Sequence, residues 1–254
     1  MRIVLLFLLL VLLPISASAE EPIDPLVRAD EAYTWNLSLS YIPQGREGFA
    51  VDAHGRLFAY TLFSEDRSLS LSGTLQIAER LRVGLELTHS QWSVQEKRDY
   101  GLEDYEVITS AGGDFSFTLT SKHQLYPGSF LDPRLSLSFG SPTSGFEVSA
   151  SLLLDPVVLV GAIGYTFTSG SPQQWMTVSF GAGFIANRWV SFTMTASYTV
   201  PVDGVGLPTA SFSLRTRYFL DVEKQQELWA RTSISLRGET VWMGLEIGLA
   251  GRGL

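Results

Sequence analysis

The chain of 254 residues contains no cysteine. This absence excludes disulfide bonds, a thiolate metal site and a lipid anchor attached through cysteine. Charged residues make up only 17% of the sequence, and 26 acidic residues outweigh 18 basic ones, for a net charge of −8. A nucleic-acid-binding surface needs clustered lysine and arginine, so the composition argues against a nucleic-acid partner.

Long apolar runs are also missing once the N-terminus is passed. The longest later run, 157–163, is far too short for a membrane-spanning helix. The N-terminus itself has a basic Arg2, an apolar stretch over 3–13, Pro14 and the small residues Ala17-Ser18-Ala19. This pattern is typical of a secretory signal peptide. We expect a signal peptide over 1–19, cleaved after Ala19, and a short periplasmic lead-in over 20–30.

The rest of the chain alternates between apolar and small polar residues. Over 190–200, for example, Val, Phe, Met, Ala and Tyr alternate with Ser and Thr. A soluble β-sandwich and an outer-membrane β-barrel both produce such two-faced strands, but they bury opposite faces. The polar face here carries mainly Ser, Thr and Gly, whereas a soluble surface usually carries many more charged residues. We therefore predict an all-β fold over 31–254, a transmembrane antiparallel up-and-down β-barrel.

Twelve strands fit the pattern best, although ten or fourteen remain open. The predicted strands are 33–42, 57–77, 81–92, 114–122, 134–140, 145–154, 157–168, 175–185, 188–200, 208–219, 228–236 and 239–250. Segment 57–77 is counted as one strand, although its charged centre would also allow two. The polar segments 43–55 and 93–112 are expected to be loops, and a short helical turn is expected within 123–132.

The lumen of such a barrel would not be filled by its own wall. Ser, Thr and Gly are too small to fill the interior of twelve strands. The lumen is therefore expected to be open to water, or to be occupied by 43–55, 93–112 or the lead-in. If both termini are periplasmic, the very short turns at 78–80, 154–156 and 186–188 all fall on the periplasmic side, as barrels prefer. Three connections are exceptions: 123–132 and 221–227 would be long periplasmic connections, and 237–238 a very short outer one.

Two further patterns resemble known outer-membrane proteins. The alternating end of the chain, with Trp242, Gly244, Leu245, Ile247 and Leu249, resembles the terminal signal read by the barrel assembly machinery, although five residues follow it. The segments Leu-Asp-Pro-Arg-Leu-Ser-Leu-Ser (131–138) and Leu-Leu-Asp-Pro-Val-Val-Leu (153–159), followed by Gly-Tyr-Thr-Phe (164–167), resemble strand-entry motifs of a porin-like family. That family includes barrels encoded with phenol meta-pathway degradation genes, and the likeness covers roughly 81–198.

The resemblance implies a channel in the outer membrane of a Gram-negative bacterium. Such a channel would pass small, hydrophobic or aromatic solutes passively, in contact with lipid and lipopolysaccharide. Exporter barrels that resemble this family leave a second interpretation open, namely a barrel that conducts or anchors a secreted polypeptide. The resemblance carries over no catalytic residue.

The sequence contains no enzyme motif that would favour a catalytic function over a channel. His89-Ser90 is the one adjacent pair of these types, no Gly-x-Ser-x-Gly or phosphate loop occurs, and no two of the three histidines have metal-ligand spacing. We therefore expect no catalytic, cofactor or metal site.

Charged residues on the polar face are the candidate functional residues. They either set solute selectivity, as charged rings do in channels, or form salt bridges that hold the wall together. The candidates are Arg82, Glu86, Asp114, Lys122, Arg134, Glu147, Arg215, Arg217, Arg231 and Glu246.

Arg215 and Arg217 are two positive charges on one strand, the candidates in which a single sign of charge is most concentrated. We predict that they favour anionic or polar solutes near one mouth of the barrel. Replacing Arg217 by Glu should shift the reversal potential in a salt gradient towards cation preference, because the local charge changes sign. The measurement compares wild type and Arg217→Glu in planar bilayers. An unchanged reversal potential would contradict the prediction.

Overall fold

Twelve antiparallel strands form one closed barrel in the computed structural model, in which each strand pairs with its neighbours in sequence and β1 pairs with β12. The structure describes residues 32–101, 104–126, 131–154, 157–169, 171–204, 206–221, 223–238 and 240–253. The fold class and the count of twelve are thus confirmed. The strands are β1 (Tyr33–Val51), β2 (Leu57–Ala78), β3 (Leu81–Gly101), β4 (Asp104–Gln124), β5 (Leu131–Ser141), β6 (Thr143–Leu154), β7 (Val157–Thr168), β8 (Gln174–Ile185), β9 (Val190–Pro201), β10 (Thr209–Phe219), β11 (Gln226–Arg237) and β12 (Thr240–Gly253).

Several sequence-based expectations fall outside the described residues. They are the signal peptide over 1–19, its cleavage after Ala19, the lead-in over 20–30 and the Asp-Pro turn at 155–156. Within the described part of the chain, no helix is long and apolar enough to cross a membrane.

Side-chain alternation gives the barrel an apolar exterior and a polar interior. The registers place Ser179 opposite Ser197 on the inside and Phe180 opposite Ala196 on the outside. Outward side chains such as Ile163 and Met243 are 56% and 63% exposed, whereas the inward Ser138 is 2% exposed. This is the inverse of a soluble protein, and it is the arrangement of barrels that lie in lipid.

Hydroxyl pairs line the inside of the wall across neighbouring strands. Thr34 bonds Thr74 at 2.7 Å, and Ser40 bonds Ser68 at 2.7 Å. Similar pairs join Ser70 to Thr88, Thr177 to Thr199 and Ser211 to Ser235. The Ser and Thr rows therefore satisfy part of their hydrogen bonding within the wall, as cross-strand hydroxyl pairs do in other sheets.

Four strands are much longer than the other eight. β1 to β4 have 19 to 22 residues, whereas β5 to β12 have 11 to 14. β1 pairs with β12 only up to Tyr41, and β4 pairs with β5 only from Phe117. Segments 42–51, 57–66, 92–101 and 104–116 therefore rise as a four-stranded sheet, roughly 30 Å along the strands, above one side of the barrel. We call this sheet the upper wall, and the opposite end, with Tyr33 and Gly253, the lower end.

The upper wall corrects two expectations from the sequence. Segments 43–55 and 93–112 are not loops, because β1 continues to Val51 and β3 and β4 are joined at 102–103. Neither segment occupies the lumen, since both are paired strands. Segment 57–77 is one strand, β2, with a register irregularity between Gln76 and Ala78.

The physical reason for the error is that the regular alternation is lost in the upper wall, where both faces carry large apolar side chains. At the level of the barrel the apolar side chains point outward, but on β2 and β3 of the upper wall Phe58, Tyr60, Leu62 and Val94 point inward. The outward positions are mixed, with polar residues such as Lys97 and apolar ones such as Phe49 and Phe115, which are 77% and 66% exposed. A pattern that expects one apolar face does not recognise such strands.

Aromatic rings lie flat on glycines of neighbouring strands near the lower end. Trp229 of β11 is opposite Gly248 of β12, and its side chain is 1% exposed. A Cβ built on Gly248 would lie 2.5 Å from the Trp229 ring and 2.7 Å from the backbone oxygen of Leu37. The ring therefore requires glycine at this position, because the backbone oxygen has no rotamer to change.

We predict that Gly248→Ala destabilises the barrel by about 1–3 kcal/mol, the usual cost of overpacking. The matched control is Gly161→Ala on β7, where a Cβ would meet nothing within 4 Å. Urea unfolding of the barrel refolded into vesicles, followed by tryptophan fluorescence, measures both. Equal midpoints for the two variants would contradict the packing argument.

Candidate functional site: a charged cavity in the lumen

A cavity of about 350 Å³ lies inside the barrel, lined by inward side chains of β1 to β6 and β10 to β12. Its wall combines the small hydroxyl residues with most of the charged residues singled out from the sequence. Eight of the ten candidates line it: Arg82, Glu86, Lys122, Arg134, Glu147, Arg215, Arg231 and Glu246. The alternation thus brings distant charged residues together around one cavity. Arg82 and Glu246, for example, are 164 positions apart in the sequence.

The other two candidates lie elsewhere. Arg217 is on β10 and does not line the cavity; its side chain is 2% exposed, and its Nε lies 3.6 Å from Glu227 Oε1. Asp114 is on β4 opposite Ser90, above the last β4 residue that pairs with β5. It is exposed, and it belongs to the upper wall and not to the cavity.

Three arginines surround one carboxylate on the lower part of β10, β11 and β12. Glu227 Oε1 lies 3.6 Å from Arg217 Nε and 4.0 Å from Arg215 Nη2, and its Oε2 lies 3.7 Å from Arg252 Nη2. The side chains of all four residues are 14% exposed or less. We call these four residues the arginine cluster.

Packing fixes the positions of the arginine cluster. The Arg215 guanidinium lies 4.0 Å from the centre of the Trp229 ring, a cation–π contact. The Trp229 Nε1 donates to Asn36 Oδ1 at 2.9 Å. Arg252 Nε donates to the backbone oxygen of Lys224 at 2.5 Å. Both guanidiniums that face the cavity, Arg215 and Arg252, are therefore held by contacts to the wall.

The sequence analysis did not include Glu227 and Arg252 among the candidates. It placed the start of β11 too late and the end of β12 too early. β11 begins at Gln226 instead of 228, and β12 ends at Gly253 instead of 250. Continuing the alternation would have found both, since Glu227 is in phase with Arg231, and Arg252 is in phase with Glu246.

The opposite side of the cavity is balanced in charge. Arg134 pairs with Asp132, which also accepts a hydrogen bond from Gln124 Nε2 at 2.8 Å. Arg82 and Lys122 face each other across β3 and β4, and the acidic Glu86 and Glu147 line the same side. Three basic and three acidic residues thus lie on this side. Arg231 and Glu246, 3.7 Å apart, form a further balanced pair on β11 and β12.

The upper wall presents an apolar, aromatic face on the inward side. Phe58 is 6% exposed and lies 5.2 Å from the Tyr100 ring. The Tyr60 ring lies over Gly48, and the Trp92 ring lies over Gly112. These rings lie on the inward side above the mouth of the lumen, and the Arg56 guanidinium lies 4.4 Å from the centre of the Tyr100 ring.

Charged groups at the upper wall are tied to neighbours. The Arg98 guanidinium lies 5.3 Å from the Phe58 ring, and its Nε donates to Glu96 Oε1 at 2.7 Å, which raises the pKa of Arg98. At the β1–β2 turn, Asp52 accepts hydrogen bonds from the backbone N of Arg56 and of His54, at 2.9 and 2.8 Å. The bond from the Arg56 backbone is the main cause of a lowered pKa for Asp52.

Within the described residues, no group of three or more His, Asp or Glu side chains is arranged to hold a metal ion.

Comparison with known proteins finds solved structures that share the barrel fold. No family model and no curated protein matches the sequence. Among solved structures, an outer-membrane channel from Pseudomonas putida F1 is similar over 92% of this chain and 100% of its own, with a TM-score of 0.62 at 12% identity. The KdgM porin covers 85% of this chain and 99% of its own, with a TM-score of 0.51 at 10% identity.

A third similar structure is the CymD monoaromatic hydrocarbon channel. It covers 87% of each chain, with a TM-score of 0.50 at 11% identity. All three are channels or porins, and at these identities they establish the barrel fold.

Proposed function

We propose that this protein is an outer-membrane channel for passive passage of small solutes. The observation that supports it most is the combination of a closed barrel with an apolar exterior and a cavity lined by hydroxyl and charged groups. In a water-filled lumen such groups face permeating solutes, and their charges bias which solutes enter.

The proposed location is the outer membrane of a Gram-negative bacterium. The lower end, where the first strand begins and the last ends, would face the periplasm, and the upper wall would rise among the lipopolysaccharide. The turns at 79–80 and 186–189 are short, as periplasmic turns are. β12 would be the strand that the barrel assembly machinery recognises.

Hydrophobic or aromatic solutes are the proposed class of solute, and the upper wall is the feature that supports this proposal. Its inward aromatic face stands directly above the mouth, and aromatic rings favour aromatic and apolar partners. The similar CymD structure is described as a monoaromatic hydrocarbon channel, which agrees with this proposal.

Conduction of a secreted polypeptide is less well supported. A cavity of about 350 Å³ is within the size range of small-molecule sites. The similar solved structures are a channel and a porin, which supports transport as the proposed role.

Passage through the lumen is tested by swelling of liposomes that contain the refolded protein. We expect a small sugar, L-arabinose, to enter much faster than the trisaccharide raffinose, because the cavity limits solute size. Liposomes with the same amount of a small eight-stranded barrel that has a filled interior are the control. Equal, slow rates for both sugars and both proteins would contradict the channel.

The role of the upper wall is tested in cells with an intact outer membrane, using the fluorescent hydrophobic probe N-phenyl-1-naphthylamine. Replacing Tyr60 and Trp92 by Ala should slow probe uptake by about fivefold, if each ring contributes on the order of 0.5–1 kcal/mol of contact. The matched control is Tyr105→Ala on β4 of the same wall, where the side chain points outward and is 64% exposed. Equal uptake by all three proteins would contradict the assignment.

A further inference from the structure

We infer that the upper part of β4, segment 104–116, is a docking edge for an extended polypeptide segment of another protein. In the segment that it binds, basic and apolar residues alternate, and the segment adds one further strand to the upper wall. The inference rests on the proposed function only in that the upper wall lies outside the cell, where such a segment can reach it.

The upper part of β4 is paired on one side only. Its register with β3 is unbroken from Leu81–His123 to Asp99–Tyr105, whereas its pairing with β5 begins at Phe117, opposite Ser141. Within the described residues, no strand pairs with 104–116 on the β5 side. The place that β5 fills at the level of the barrel is therefore open above Ser141.

The hydrogen-bonding groups on this open side can be assigned residue by residue. Gln124 N donates to Arg80 O at 3.0 Å, towards β3, and Leu125 N donates to Pro133 O at 2.9 Å, towards β5. Alternate residues of an antiparallel strand bond to opposite neighbours, and the register with β3 is continuous down to 105. The N–H and C=O groups of the odd-numbered residues from 105 to 115 therefore face the open edge.

This edge differs from the other free edge of the upper wall. Edge strands usually carry proline or basic residues, which prevent the addition of a further strand. β1 has both, since Pro43 has no N–H and Arg46 follows three residues later. Segment 104–116 contains no proline, lysine or arginine, and its residues 107–109, Val-Ile-Thr, favour an extended backbone. The edge of β4 is thus the one that can accept a strand.

The geometry disfavours a second copy of the chain as the occupant of this edge. Two copies in one membrane have roughly parallel axes, and each strand of an upper wall continues downward into its own barrel. At the level of the barrel, β5 already fills the place beside β4. A strand of a second barrel would therefore overlap β5, whereas an extended segment that approaches from outside the membrane has no lower part to overlap it.

The side chains along the edge define the chemistry of the segment. On the inward side Asp114 is exposed, and the exposed Glu106 lies 3.6 Å from Arg98. On the outward side Val107 and Phe115 are 47% and 66% exposed. Opposite residues of paired strands share a face and interact. The edge is therefore complementary to a strand with basic residues on one face and apolar residues on the other.

The experiment uses the full-length protein, refolded in a neutral detergent, and a short fluorescein-labelled peptide in which lysine and valine alternate. Fluorescence anisotropy should show saturable binding of this peptide. A peptide with methylated backbone nitrogens lacks the donors for strand pairing, and a peptide with glutamate in place of lysine has the wrong charge. Both should bind at least about fivefold more weakly.

Substitutions on β4 test the same contact from the side of the protein. Thr109→Pro removes one N–H from the open edge and should weaken binding of the lysine–valine peptide at least about fivefold, whereas Thr109→Val keeps the N–H and should bind normally. Proline is tolerated in an edge strand where the N–H faces solvent, and resistance of the barrel to unheated SDS checks the fold of each variant.

A second substitution tests the charge without changing the backbone. Asp114→Asn should weaken binding of the lysine–valine peptide about twofold, because one exposed opposite charge is lost. The matched control is Glu47→Gln on β1 of the same wall, where the side chain is also exposed. This control removes the same charge away from the β4 edge and should leave the affinity unchanged.

The inference is overturned if the wild type does not bind the lysine–valine peptide, if Thr109→Pro binds it as tightly as the wild type, or if the glutamate peptide binds equally well. Analytical ultracentrifugation tests the other occupant: a dimer in detergent that Thr109→Pro dissociates would place a second copy at the edge and would also overturn the inference.

Liposome swelling with L-arabinose separates this result from the channel proposal. Peptide binding without sugar entry would refute the channel and leave the docking edge, because binding in detergent does not depend on an open lumen. Sugar entry without peptide binding would refute the docking edge alone.

Discussion

Closure of the backbone hydrogen-bond ladder is the constraint on which the rest of the structure depends. In a hydrocarbon environment an unpaired backbone group costs several kcal/mol, so a sheet that enters lipid must have no free edge. Pairing of β1 with β12, from Tyr33–Gly253 to Tyr41–Leu245, removes the edges at the level of the barrel. Once the wall is closed, strict alternation divides the side chains into an exterior and an interior, and this division brings charged residues from distant parts of the chain around one cavity.

The same constraint explains where the wall is allowed to be open. Above Tyr41 and Phe117 the outer edges of β1 and β4 have no partner within the described residues. Water can pair the free backbone groups there, so a tall four-stranded sheet is tolerated above one side of the barrel. Pro43, which has no N–H to donate, lies on β1 just beyond the last pair with β12, where the ladder needs no donor.

The sequence was informative where the environment was constant along a strand. For β5 to β12, lipid lies on one side and the lumen on the other, so a single alternation rule found every strand, and 157–168 matches β7 at both ends. The rule failed in the upper wall because both faces carry large apolar side chains: Phe58, Tyr60 and Leu62 point inward, whereas Phe49, Phe63 and Phe115 point outward. The cluster around Glu227 was half predicted: Arg215 and Arg217 follow from alternation, but Arg252 depends on where β12 ends, and end positions depend on pairing with β1 and β11, which no local pattern reveals.

The charged residues of the lumen then acquire a physical meaning. Arg134 lies beside Asp132 and Arg231 beside Glu246, and Glu227 lies within 4.0 Å of three arginines. Opposite charges that face each other in this way offset part of the cost of removing them from water. Contacts with Trp229 and with a backbone oxygen hold Arg215 and Arg252 in place, and the packing of Trp229 on Gly248 stabilises the same strands. The pairing that closes the wall therefore also fixes where its charged groups lie.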